Sequence, residues 1–173
     1  HTLQQAFGST MGYIVPADAP LPKVDEARFR SLALDMQQFD VYAHRIQAKH
    51  ALFIFDSCFS GTVFSSLRGR SDFVAEKARQ PVRMFITSGS ADEAVPDQGV
   101  FSHAFVDGIG GAADLNLDGF VCGTELGEYL SERVVNYSRN SQHPQYGRVR
   151  DRSLDQGDII FSVSKDARAP ALI

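Results

Sequence analysis

The sequence predicts an α/β fold built on a mainly parallel sheet, on three observations. The all-apolar run Ala51-Leu52-Phe53-Ile54-Phe55 and the segment 82–87 read as buried strands. Segments with helical spacing separate the strand-like ones along the chain. A small-residue turn beginning at Ser57 follows the first apolar run. Strands that alternate with helices are joined by crossovers, and crossovers favour parallel neighbours.

Taken in order, Tyr13-Ile14-Val15 reads as a short strand closed by Pro16, and the Pro- and Asp-rich stretch through Pro22 reads as loop. From Asp35, with Gln38 three residues on as a capping-box partner, Phe39, Tyr42, Ala43 and Ile46 fall at helical spacing. That helix leads into the strand 51–55, and Pro81 introduces the next strand at 82–87. Phe101, Ala104, Phe105 and Ile109 mark a helix that Gly110-Gly111 stops. Leu126, Tyr129, Leu130 and Val134 mark another, with Thr124 as its expected cap and Glu125 and Glu128 complementing the positive end of its dipole. A last strand is expected at 158–163, before a tail from 164 to 173 with little to bury.

At 173 residues and 43% hydrophobic, the chain can bury one core. A formal net charge of −4 argues against nucleic-acid binding, which needs clustered Lys and Arg. No run of 18 apolar residues suits a membrane span. Two cysteines, Cys58 and Cys122, make no disulfide framework at this size, and free thiols in a reducing, cytoplasmic compartment are the simpler expectation.

Chemistry concentrates in Asp56-Ser57-Cys58-Phe59-Ser60-Gly61. Cys58 stands where a buried strand runs out into a turn, the place where α/β enzymes hold nucleophiles. Strict alternation would put Ile54, Asp56 and Cys58 on one face. A neighbouring carboxylate raises a thiol pKa rather than activating it, so Asp56 needs another task. Holding an Arg or Lys side chain of a substrate is one; capping a following helix is another, with Cys58 then a small buried apolar residue.

Those six residues resemble the catalytic-cysteine motif of the caspase and metacaspase superfamily, especially its bacterial branch. Gly12-Tyr13-Ile14-Val15-Pro16-Ala17-Asp18 is similar to the segment after that family's catalytic histidine, and residues 85–93 are similar to the strand and loop after the cysteine. Gly99-Val100-Phe101 opening a helix and the acidic loop from Asp114 continue the likeness, which runs from about residue 12 to residue 163. The resemblance implies a caspase-like three-layer fold spanning 1–163, incomplete at the N-terminus, with 164–173 as tail or linker. A segment upstream, or a partner chain, would complete the sheet.

It further implies a cysteine endopeptidase that cleaves after Arg or Lys with a Cys/His dyad. Cys58 is the nucleophile, its backbone N–H helps stabilise the oxyanion, and Asp56 and Ser88 line the pocket for the basic side chain. His1 lies near the expected place of the base, although Thr2 follows it where the family has Gly; on a second alignment the base lies just upstream. His44, His50, His103 and His143 read as solvated or core histidines, and Asp92 and Glu93 as loop acids that either add negative charge or are simply solvated. The polar segment 62–80 reads as solvated loop, or as a linker for self-cleavage after Arg68, Arg70 or Arg79. The alternative function is a catalytically inactive caspase-fold interaction or regulatory module.

Residues 114–125 also fit the EF-hand loop. Asp114, Asn116 and Asp118 stand at positions 1, 3 and 5, Gly119 at 6, the Phe120 carbonyl at 7 and Glu125 at 12. Calcium is the one cofactor this implies, with no organic cofactor. Cys122 at position 9 offers no oxygen, and the other reading is an Asp/Asn/Gly turn followed by a capped helix.

Overall fold

The computed structural model describes residues 2–4, 10–59, 64–66, 74–90, 93 and 99–164. The chain divides into two compact units, His1–Ile46 and Gln47–Ile173.

The first unit holds a three-stranded antiparallel sheet, β1 (Thr2–Gln4), β2 (Thr10–Ile14) and β3 (Leu34–Asp35), in that order. Helix α1 (Glu26–Leu32) starts at Asp25, whose carboxylate accepts the Arg28 N–H at 2.9 Å. Phe29 of this helix is fully buried, and its ring meets that of Tyr13 edge-on with centroids 5.2 Å apart. Only Phe29 marks the apolar face of α1, and a single position sets no readable period. Helix α2 (Gln38–Arg45) begins later than its capping-box signal suggests, because Asp35 belongs to β3 and spends its carboxylate on the Gln37 N–H.

The second unit is built on β4 (His50–Phe59), β5 (Phe64–Ser66), β6 (Val82–Ser90) and β8 (Gln145–Val149), in the spatial order β4-β6-β8-β5, with the short helix α3 (Val74–Lys77) between β5 and β6 in sequence. Helix α4 (Val100–Asp107) runs on through a π-helical turn, Gly108–Ala112. Strands β7 (Phe120–Cys122) and β9 (Ile160–Ser162) pair antiparallel on either side of α5 (Gly123–Tyr137) in the chain.

The sheet of the second unit is mixed rather than mainly parallel. β4 and β6 are parallel, whereas β6–β8 and β5–β8 are antiparallel. The reason lies in the connections: α4 and α5 both intervene between β6 and β8, and two successive helical segments deliver the chain to the opposite end of the sheet from the one a single crossover reaches.

Strand β6 is the centre of the core. Val82, Met84 and Ile86 pack on one face with Phe101 and Ala104 of α4 and Leu126, Leu130 and Val134 of α5. The i, i+4, i+8 spacing of those three α5 residues gives the helix its buried stripe. On the other face Phe85 stacks with Phe53, with ring centroids 4.7 Å apart. Burying each of the larger of these side chains contributes about 1.5–3 kcal/mol. Helix α5 lies so close to β8 that a Cβ added at Gly127 would come within 2.3 Å of the Tyr146 ring.

The start of α5 rests on Asp158 and Cys122, not on Thr124. The Cys122 Sγ accepts the Glu125 N–H at 3.4 Å, and Glu125 Oε2 accepts the Cys122 N–H at 3.0 Å, a capping box with sulfur in the usual oxygen's place. Thr124 instead donates its hydroxyl to Asp158 Oδ2, which also takes Arg148 Nη2 at 2.9 Å. Asp158 Oδ1 accepts the N–H groups of Gly123 and Ile159. Burial pushes the Asp158 carboxyl above its ordinary value, and Arg148 and the N–H and O–H donors pull against that. Asp158→Ala leaves the Arg148 guanidinium buried without this partner, so a loss of about 3–5 kcal/mol is expected in chemical denaturation; a loss below about 1 kcal/mol would contradict this account.

Candidate functional site

The apolar run of β4 ends in an irregularity. Register with β6 holds from His50↔Val82 to Phe55↔Thr87 and resumes at Cys58↔Gly89 and Phe59↔Ser90. Asp56 and Ser57 therefore stand together opposite the single residue Ser88, a β-bulge. Bulges re-aim side chains at the ends of strands, and strict alternation no longer links Asp56 to Cys58. The shared face expected for those two residues loses its premise.

Asp56 is exposed, and its Oδ2 accepts a 2.5 Å hydrogen bond from the Ser102 hydroxyl on the first turn of α4. Among the described residues no Lys or Arg pairs with this carboxylate. Ser88 is fully buried in β6, and its Oγ has no hydrogen-bond partner. An unsatisfied buried hydroxyl costs about 1–3 kcal/mol, so its position beside the bulge calls for a reason. The backbone of Cys58 lies at the carboxyl end of β4, one rung beyond Ser88, where a parallel pair opens toward its loops. The side chain of Cys58 lies outside the described residues, as do His1, Arg68 and Arg70. Arg79 is described and exposed.

Glu93 and His143 form a pair that sequence reasoning left as separate loop residues. One oxygen of Glu93 accepts the backbone N–H of Ser90 at 2.9 Å and of His143 at 2.8 Å, and the other bonds Nδ1 of the His143 imidazole. The loop after β6 is thus tied to the segment that leads into β8, next to the rung where Ser90 meets Phe59. No local signal announces this contact, because the two residues are 50 positions apart. The same holds for Ser102, 46 positions from Asp56.

The acidic loop folds largely onto its own backbone. Asp114 Oδ1 and Oδ2 accept the N–H groups of Asp118 and Gly119, Asn116 Oδ1 accepts that of Asp118, and Asp118 Oδ1 accepts that of Phe120. Leu117 and Gly119 take left-handed conformations, with φ of 61° and 93°. Glu125 Oε2 serves the capping box, while its buried Oε1 has no partner. Among the described residues no group of three or more His, Cys, Asp or Glu is placed to hold a metal ion.

Cys122 is a buried free thiol, and burial first of all pushes its pKa up to about 12. It is a capping residue and not a nucleophile. No described helix is long and apolar enough to cross a membrane. The chain matches no family model, no curated protein and no solved structure.

Burial alone would raise the pKa of Glu93, but the N–H groups of Ser90 and His143 and the His143 imidazole outweigh it and hold the carboxyl at about 2, against an ordinary 4.5. A depressed carboxyl contributes stability that is present above about pH 4.5 and lost as the pH falls toward 2. Glu93→Gln is therefore expected to cost about 1–3 kcal/mol near neutrality. It should also flatten the decline of the urea midpoint between neutrality and about pH 3, relative to the unsubstituted chain. Parallel declines in the two proteins would show that the pair carries no such linkage.

Proposed function

We propose that this chain is a caspase-like cysteine endopeptidase that cleaves after Arg or Lys. Cys58 attacks the scissile carbonyl, and its own backbone N–H helps hold the oxyanion. An imidazole, for which His1 is the sequence's candidate, takes the thiol proton and returns it to the leaving amine. Water then hydrolyses the thioester and releases the acyl product. Asp56 receives the substrate's guanidinium or ammonium, and the hydroxyl of Ser88 belongs to the same pocket. No step in this scheme uses a metal ion.

The observation that carries the reading is Asp56. It is an exposed carboxylate without a cationic partner among the described residues, set in a bulge two positions before a cysteine at the carboxyl end of a parallel strand pair. An exposed carboxylate with no cation of its own is a ready acceptor for a guanidinium or ammonium brought by a substrate.

A peptidyl chloromethyl ketone ending in arginine is expected to alkylate Cys58, at least about tenfold faster than the same peptide ending in aspartate, a difference of about 1.4 kcal/mol. Mass spectrometry of the labelled peptide locates the site, and Cys58→Ala should abolish the adduct. Equal rates for the two peptides, or no adduct at Cys58, would count against the proposed peptidase.

A further inference from the structure

We infer that Ser102 is a positioning residue for substrate recognition, its hydroxyl fixing the Asp56 carboxylate so that the second carboxylate oxygen is left to accept a guanidinium. This rests on the reading of the chain as a peptidase that takes a basic residue, and it identifies what orients the recognising group.

Several observations lead to it. Ser102 Oγ donates to Asp56 Oδ2 across 46 residues of chain, so tertiary folding and not local structure makes the contact. It is the only hydrogen bond of the Asp56 side chain among the described residues, and Oδ1 is left open. Asp56 differs in this from the carboxylates that are held by a cation. Glu26 pairs with Arg30, and Asp158 with Arg148. Asp56 has a hydroxyl to hold it and, among the described residues, no cation.

Stability gives little reason for such an arrangement. Both side chains are exposed, water can replace either partner, and an exposed polar pair adds little to the fold. Recognition gives a stronger one. A carboxylate free to rotate loses orientational freedom when it grips a planar guanidinium, and one already held in a single rotamer loses less. The bulge supplies the placement, and Ser102, on the first turn of α4, supplies the orientation. Ser88 adds a second unfulfilled group at the same rung, since its unpaired buried hydroxyl stands opposite Asp56 and Ser57.

The test uses the full chain and two peptidyl chloromethyl ketones that differ only in their last residue, arginine or norleucine. The quantity read is the ratio of their second-order rates of alkylation at Cys58. Ser102→Ala is expected to lower the arginine-to-norleucine ratio roughly three- to tenfold, the worth of one hydrogen bond, and Ser102→Thr to restore it. Both probes act on the same folded molecules, so a partial loss of fold cancels in the ratio. An unchanged ratio in Ser102→Ala, or a loss that Ser102→Thr does not restore, overturns the assignment while leaving the peptidase reading intact. If the unsubstituted chain itself shows no preference for arginine, the specificity proposed for Asp56 fails and the role of Ser102 with it.

Discussion

Asp158 is the group on which the second unit depends most heavily. Its carboxylate is 1% exposed and accepts from the backbone of Gly123 and Ile159, the hydroxyl of Thr124 and the guanidinium of Arg148. Those partners belong to the start of α5, to the approach to β9 and to β8, so one side chain joins three elements. A buried charge is tolerated only with such a set of donors, because its desolvation is otherwise too costly. The arrangement also constrains Gly123, where an added Cβ would meet Met84 Sδ at 2.5 Å and Asp158 Oδ1 at 2.7 Å. Helix α5 is anchored at this point, and its apolar stripe falls on β6.

With β6 held from both faces, the carboxyl ends of β4 and β6 become a defined platform. The bulge at Asp56 and Ser57 lies at the edge of that platform, past the last apolar residue of the run and before Cys58. The clamp of Glu93 on the backbones of Ser90 and His143 fixes the far side of the same end. A site that recognises a charged side chain needs this combination of a rigid support and an open carboxylate.

The acidic loop shows how a motif's spacing can be satisfied by other physics. Asp114, Asn116 and Asp118 are short oxygen-bearing side chains, which suit metal ligation and Asx turns equally well. Here they accept backbone N–H groups of the loop itself, and Glu125 closes a capping box with Cys122. The residues that make a helix begin and those that would ring an ion are the same types at the same intervals.

Much of the architecture was legible in the residues themselves. The runs 51–55 and 82–87 and the stripe Leu126, Leu130 and Val134 are local patterns, and backbone sterics with apolar periodicity are enough to read them; the stop expected at Gly110-Gly111 falls instead inside the π-helical turn that follows α4. The same local information brought Asp56 and Cys58 to notice, since strand ends and small-residue turns are written in consecutive residues. What folding alone decided was every relation between distant residues: β8 antiparallel to β6, the bulge that separates Asp56 from the alternation, Ser102 on Asp56, His143 on Glu93, and Asp158 in place of Thr124 at the head of α5. Periodicity describes how neighbours along the chain share a face. It carries no term for which face of which element arrives opposite, and that is settled by the burial and hydrogen-bond satisfaction of the whole unit at once.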